Sequence, residues 1–343
     1  MFFYARLLIR SLFGGPLPPV PEFDADEDLL IKDPVLRDAR RQLLRDGDWR
    51  VAKQAIEAAG DDWALRNYRL EVVAGLAEER DEWLDDWTEA EPSDPAVVLI
   101  GAKVLAGRAS RARGAASAAN TSPEQFRVFH SLSEQALETS LRARELSDPR
   151  DPGPLIRLMS SCFAAGADEL GEWYGEAQRR DPHNFDAHEL AMMLSCAKWY
   201  GSHELMFEVA HTAAEAAPPG HRTVLMPLAA HFEYAMREFA WDDRSDEAQK
   251  AVREYFRRPD VQQDADGWIA KFRAAPPRSA QLSQVRHWMA VYFSLAGRKP
   301  EAKAVFDELG RYVSPPHEWG WFYGDTEYGY SKNWWWANGV GGV

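Results

Sequence analysis

Turn-forming residues recur at a nearly constant interval along this chain, and that interval limits the folds it can adopt. Asp148-Pro149 and Asp181-Pro182 are 33 positions apart, and Gly166 and Gly201 are 35 apart. From Leu29 onward, apolar residues recur at helical spacing, and no run alternates in the way that a strand requires. A period of about 34 residues is typical of stacked helix–turn–helix units. The chain is therefore predicted to be all-helical.

The residues at these points have the chemistry that a helix boundary needs. Proline fixes the backbone for the first turn of a helix, and a preceding aspartate can accept hydrogen bonds from its free N–H groups. Glycine permits the tight reversal between two helices. We therefore expect each Asp-Pro pair to cap a helix and each glycine to lie inside a helix pair. The stretches 101–123 and 241–277 are predicted to be irregular excursions.

Several segments resemble the tetratricopeptide repeat family. In the best copy, Ser283–Pro316, the family's leucine, small, aromatic and turn positions are filled by Met289, Ala290, Phe293, Gly297, Ala302 and Phe306. Weaker copies are Phe185–Pro218 and about Gly153–Pro182. The resemblance implies antiparallel helix pairs stacked as a right-handed α-solenoid. Separately, Trp199-Tyr200-Gly201-Ser202 resembles a W-x-G-S element of uncharacterised bacterial helical proteins, which implies no activity.

The two ends of the chain differ from the helical part. Residues 1–28 combine the amphipathic segment MFFYARLLIRSLF with a proline-rich linker, whereas residues 29–313 carry the helical pattern. We expect residues 1–13 to dock on the protein's own core, with contact to a membrane surface as the less favoured alternative. Residues 314–343 contain five Trp and six Gly. This tail is predicted to be non-helical and to cap the last helix pair.

Composition restricts the partners and the compartment. The net charge is −14, and an acidic surface repels phosphate backbones, so no nucleic-acid partner is expected. A basic or neutral protein or peptide is the predicted partner. Cys162 and Cys196 lie within apolar helical patterns and are expected to be buried free thiols. Two cysteines cannot form a disulfide framework, and a cytoplasmic location is predicted.

Histidines and carboxylates cluster in the middle of the sequence, but their spacing does not favour a metal site. His183 and His188 are five apart and do not share a helix face, and Met192 stands where a second zinc-binding histidine would follow His188. We therefore predict neither a metal nor a cofactor. The sequence also lacks a phosphate-binding loop and a nucleophile elbow, so no catalytic residues are predicted.

The leading functional hypothesis is a non-enzymatic protein-interaction scaffold. In the tetratricopeptide family the first helix of each pair lines an inner groove. That resemblance implies partner contacts at Asp186, Glu189, Met193, Cys196, Gln284, His287, Val291 and Ser294. A second predicted contact surface is formed by Trp334, Trp335 and Trp336, because clustered aromatic residues are frequent binding hot spots. The alternative is an enzyme or small-ligand-binding protein with a pocket lined by histidine and glutamate between helices.

Overall fold

A computed structural model describes residues 19–114, 121–241, 243, 245–279 and 281–340. The first nine helices are α1 (Ala25–Lys32), α2 (Pro34–Asp46), α3 (Trp49–Glu57), α4 (Trp63–Glu79), α5 (Glu82–Ala90), α6 (Pro95–Arg113), α7 (Pro123–Leu146), α8 (Gly153–Ala165) and α9 (Leu170–Arg180). The next nine are α10 (Phe185–Leu194), α11 (His203–Ala216), α12 (Met226–Ala235), α13 (Asp246–Phe256), α14 (Pro259–Arg273), α15 (Ser283–Leu295), α16 (Lys299–Leu309), α17 (Glu318–Tyr323) and α18 (Thr326–Ala337).

The prediction of an all-helical fold is confirmed. Within the described ranges, the only β pairing is one isolated bridge between Glu22 and Tyr312. Short 3₁₀ and π-helical turns flank α12, at Arg222–Leu225 and Met236–Ala240. None of the described helices is both long enough and apolar enough to span a membrane. The amphipathic segment predicted at residues 1–13 lies outside the described residues.

The helices form two compact units. Asp33–Val209 make up one, which we call the central unit. The described residues up to Lys32, together with those from Ala210 onward, make up the other, which we call the discontinuous unit. The boundaries predicted from composition at residues 28 and 313 stay predictions.

Aspartate-proline caps are present, but at different positions from those predicted. Asp33 and Asp94 precede prolines and accept hydrogen bonds from the first-turn N–H groups of α2 and α6. By contrast, Asp148 and Asp181 bond backbone groups inside turns, and the side chain of Asn184 caps α10. The prediction for these two pairs was wrong because the chain makes one further turn before each helix begins.

The glycine turns follow the prediction more closely. Gly166 ends α8 and Gly297 follows α15, with φ of +98° and +76°, values that favour glycine. Gly201 lies between α10 and α11 for another reason. A β-carbon there would lie 2.2 Å from the carbonyl oxygen of Ser195, so only glycine fits this close approach.

The two stretches predicted to be irregular are largely helical where the structure describes them; residues 115–120, 242 and 244 lie outside the described residues. The helix α6 continues to Arg113, and α13 and α14 fill most of the second stretch. Gly107 lies inside α6, where glycine costs roughly 1 kcal/mol relative to alanine. A β-carbon at Gly107 would lie 2.6 Å from the carboxylate of Glu78, so the glycine makes room for this neighbour.

The prediction that the C-terminal tail is non-helical was wrong, because the tail forms α17 and α18. Gly324, with φ of +87°, ends α17 and separates the two helices. A β-carbon at Gly329 would lie 2.9 Å from the carbonyl oxygen of Trp319, so this glycine allows the helices to pack closely. Trp319 and Tyr330 are fully buried and contact the ring of Phe306 on α16. Tertiary packing therefore outweighs the low helix propensity of glycine.

Candidate functional site

The central unit contains a pocket between α6, α7 and α8. Its empty volume is about 590 Å³, part of which is open to solvent. Ten of the fourteen lining residues are small: Ala102, Ala106, Ala109, Ala136, Ala164, Ser110, Ser133, Ser140, Ser160 and Ser161. The remaining four are Phe129, Phe163, Lys103 and Arg157. Because part of this space is open solvent, the pocket is a partly open cleft rather than a closed cavity.

The pocket exists because small side chains follow one face of each helix. On α7, Ser133, Ala136 and Ser140 are spaced by three and four residues, which places them on the same face. The lining residues of α6 and α8 follow the same spacing. Alanine and serine are too short to fill the space where the three helices contact each other.

The orientation of α8 follows from its two faces. Leu155, Leu158, Met159 and Cys162 are buried in a core shared with α9 and α10. The pocket residues of α8, including Arg157, project from the face beside this apolar one. Burial of the apolar face therefore directs Arg157 toward the pocket.

Three charged side chains meet beside the pocket. Arg157 Nη2 lies 2.8 Å from Oε1 of Glu71 on α4, and Lys103 Nζ donates a hydrogen bond to Oε2 of the same carboxylate. Burial alone would raise the pKa of Glu71, but the charges of Arg157 and Lys103 outweigh it, and the pKa lies below its ordinary value. A smaller pocket of about 210 Å³ between α4, α6 and α8 shares both cations.

The charges of this cluster do not cancel. Two cations face one ionised carboxylate, so one positive charge is in excess. The side chains of Lys103 and Arg157 are 26% and 15% exposed, so both are largely withdrawn from bulk water. Within the described part of the chain, the buried Nε of Arg157 has no hydrogen-bond partner. The pocket thus has a cationic wall.

The W-x-G-S element borders this region. The ring of Trp199 stands edge-on to the lining residue Phe163, with 4.8 Å between centroids. The hydroxyl of Tyr200 donates to the carbonyl oxygen of Cys162 at 2.8 Å. The turn held by Gly201 therefore places Trp199 against the lining residue Phe163.

The histidines of the predicted His/Glu pocket do not line the pocket between α6, α7 and α8, and that alternative stays a prediction. His188 is buried, accepts a hydrogen bond from Tyr174 at Nδ1 and donates from Nε2 to the carbonyl of Pro182. Burial lowers its pKa, so it is a neutral packing residue. In the described ranges, no three histidine, cysteine or acidic side chains are grouped so that they could hold a metal ion.

One of the clustered histidines, His211, belongs to a hydrogen-bond network in the discontinuous unit. His211 and His231 both contact Oδ2 of Asp264 through Nε2, at 2.9 and 3.0 Å, and Trp268 donates to Oδ1. Burial alone would raise the pKa of Asp264, yet the hydrogen bonds from the two histidines hold it well below its usual range. The network also includes Tyr255, which bonds Nδ1 of His231 at 2.7 Å.

Both cysteines are free and buried, as predicted. Burial raises the pKa of the Cys162 thiol to about 11, which keeps it protonated and unreactive at neutral pH.

The predicted partner groove is only partly exposed. Cys196, His287, Val291 and Ser294 are almost completely buried, so the prediction that they contact a partner was wrong. His287 instead accepts a hydrogen bond from the indole N–H of Trp319 at 3.1 Å. The residues of the predicted groove that are half-buried are Asp186, Glu189, Met193 and Gln284. Of these, Asp186 accepts a hydrogen bond from Asn67 on α4.

The predicted aromatic contact surface divides in the same way. Trp336 is buried, whereas Trp334 and Trp335 are half-buried.

Sequence reasoning missed the residues of the observed pocket. A signal was present, because Arg157, Ser160 and Ala164 follow one another at intervals of three and four residues. The stretch that contains Lys103 was predicted to be irregular, so its small residues were not placed on a helix face.

Comparisons with protein-family profiles, with curated proteins and with solved structures return no match for this chain, so the pocket is interpreted from its own geometry.

Proposed function

We propose that the central unit binds a small organic molecule in the pocket between α6, α7 and α8. The observation that carries this proposal is the composition of the pocket wall. Ten alanines and serines leave the space open, and two largely buried cations lie on its wall. Enclosed, mostly apolar pockets with a few convergent polar groups are the usual form of small-molecule sites.

The lining favours recognition over catalysis. Lys103 is paired with Glu71, and the described lining includes no histidine or cysteine that could act as a base or a nucleophile. The hydroxyls of Ser140 and Ser161 donate to carbonyl groups of their own helices, at 2.7 and 2.6 Å. These groups can position a ligand but are not arranged as a catalytic pair.

A thermal-shift screen with a chemically diverse library of small molecules tests the proposal. A ligand at 100 times its Kd stabilises the native state by about 2.7 kcal/mol, which raises the melting temperature measurably. Ser133→Leu fills the pocket from α7 and should abolish the shift, whereas Ser131→Leu on the exposed side of the same helix should preserve it. Ala106→Leu fills it independently from α6. Hits that bind both filled variants as tightly as the natural chain would contradict the proposal.

A second candidate function is the protein-interaction scaffold, and one surface feature favours it. Trp199, Tyr200 and Leu205, in the turn before α11 and in its first turn, are 42%, 48% and 42% exposed, which is unusual for large apolar side chains this close in sequence. Glu204 and Glu208 are exposed beside them on α11. The surface therefore suits a peptide that carries both apolar and basic residues.

Selection from a displayed peptide library tests this second candidate. Enriched peptides should be apolar and basic, and Trp199→Ala should weaken them, whereas Leu141→Ala, which changes an equally exposed residue on α7, should not. Enrichment of acidic peptides, or equal effects of both substitutions, would count against the scaffold.

We further propose that the helix pairs α8–α9 and α15–α16 are tetratricopeptide-like repeats and that the protein is cytoplasmic. The glycine turns at Gly166 and Gly297 and the packing within each pair support the first point. The two reduced, buried cysteines support the second.

A further inference from the structure

We infer that the ligand of the pocket between α6, α7 and α8 is an organic monocarboxylate whose remaining part is apolar and about the size of an aromatic ring. This inference rests on the proposed function and specifies the chemical class of its ligand. Its carboxylate would lie against Arg157 and Lys103, and its body against Phe129, Phe163 and the alanines of the lining.

The charge balance of the pocket wall requires an anion. Lys103 and Arg157 together carry two positive charges, and Glu71 compensates only one of them. In a partly dry site, an uncompensated charge attracts an opposite charge much more strongly than it does in water. A neutral ligand would leave this excess charge in place, whereas one carboxylate brings the site to zero.

The hydrogen-bonding state of Arg157 points the same way. Its Nη2 bonds Glu71, while its Nε is buried and has no partner within the described residues. A guanidinium presents its donors as a planar fork that matches the two oxygens of a carboxylate. A bound carboxylate would give this guanidinium a second counter-charge beside Glu71.

The backbone around the pocket disfavours a phosphate. Phosphate sites commonly use the free N–H groups of a helix N-terminus in addition to cationic side chains. Here Lys103 and Arg157 lie inside α6 and α8, beyond the first turn of each helix, where backbone N–H groups are already used within the helix. The available donors are therefore side chains alone, and one excess positive charge cannot balance a dianion.

The rest of the lining specifies an apolar body. Five alanines and two phenylalanines contribute to the wall, and neither Phe129 nor Phe163 is fully buried. Phe163 is held by the edge of Trp199 and packs against the core of α8, α9 and α10. A fixed aromatic face of this kind favours a flat apolar group by offset or edge contacts.

Isothermal titration calorimetry with three probes tests the inference on the full chain. The probes are phenylacetate, its neutral analogue 2-phenylethanol, and the dianion phenyl phosphate. Phenylacetate should bind at least 10-fold more tightly than either of the others. Arg157→Met should weaken phenylacetate at least 10-fold and leave 2-phenylethanol unchanged. Arg142→Met, which removes an exposed arginine outside the lining, should change neither.

The outcomes separate this inference from the proposed function. If 2-phenylethanol binds as tightly as phenylacetate and Ser133→Leu blocks both, the pocket binds ligands but the carboxylate assignment is overturned. Tighter binding of phenyl phosphate would overturn it in favour of a dianion. If none of the probes binds and the library screen also yields no pocket ligand, the proposed function fails as well. Arg157→Lys is a control for folding, because it keeps the positive charge beside Glu71. It should lose part of the phenylacetate affinity, since lysine lacks the planar fork of the guanidinium.

Discussion

A buried ion pair between Arg69 on α4 and Asp33 at the start of α2 offers a direct test of how the central unit is stabilised. Arg69 Nε lies 2.7 Å from Asp33 Oδ2, and Nη2 lies 3.0 Å from Oδ1. The same guanidinium donates through Nη1 to the carbonyl of Ala55 on α3. The two side chains are only 6% and 4% exposed, and Asp33 also caps α2. One arginine therefore links three helices.

We predict that Arg69→Met destabilises the central unit by about 3–5 kcal/mol, because removing one partner leaves a buried carboxylate without its counter-charge. For a unit of this size, 1 kcal/mol corresponds to roughly 2–4 °C, so the melting temperature should fall by at least ~6 °C. Urea unfolding gives the free energy, and calorimetry identifies the transition that moves.

The double variant Asp33→Asn, Arg69→Met tests the reason for the loss. Asparagine keeps the oxygen that caps α2 but carries no charge, so the double variant should be more stable than Arg69→Met alone, with a coupling of about 0.5–3 kcal/mol. The control is Arg127→Met, which breaks an ion pair with Glu124 whose side chains are 73% and 64% exposed. It should cost less than about 1 kcal/mol. If Arg69→Met costs no more than this control, or if the two changes in the pair simply add, the electrostatic explanation is refuted.

Three further predictions concern single positions. Gly201→Ala should destabilise the central unit, because the new methyl would lie 2.2 Å from a backbone oxygen. The control Gly75→Ala lies in mid-helix with nothing within 4 Å of the new methyl, and it should stabilise the unit by about 0.5–1 kcal/mol. Equal melting temperatures of the two variants would contradict the close approach at Gly201. Ala302→Leu should cost about 1–3 kcal/mol by overpacking a fully buried site, and an unchanged melting temperature would argue against the assigned repeat register. Burial, with a contribution from the charge of Lys32, lowers the pKa of His287 to about 3, below the ordinary value of about 6.5. Between these pH values the unfolded chain binds a proton that the native state does not, so the free energy of unfolding should fall as the pH drops from 6.5 toward 3, by about 3 kcal/mol at pH 4. His287→Leu should remove this part of the pH dependence. An identical pH profile for both proteins would contradict the prediction.

Local sequence signals were sufficient for the helical class and for several turns, because helical periodicity and glycine conformation act within a few residues. They failed for the tail, where the low propensity of Gly329 is overridden by close packing against Trp319. They also failed for the inner groove, because the face that carries His287 is covered by Trp319 and Tyr330. Packing between helices decided each of these cases.

The candidate pocket was beyond sequence reasoning for a related reason. Lys103, Arg157 and Glu71 come from three helices, and their meeting depends on which helix faces are in contact. Short side chains at regular spacing can mean either tight helix packing or an open space, and the two outcomes differ only in how far apart the helices stand. Spacing alone could therefore identify the small-residue faces but not the cavity that they enclose.

The bridge at Glu22 has a consequence for how the chain is made. The backbone N–H of Glu22 donates to the carbonyl of Arg311, and its carbonyl accepts from the N–H of Val313. Arg311 lies 289 positions after Glu22. At roughly 5–20 residues per second, the ribosome needs about 15–60 s to cover that distance. The central unit is continuous in sequence and emerges complete within this interval, so it can fold first. The early segment around Glu22 can form this bridge only after the last third of the chain has been synthesised.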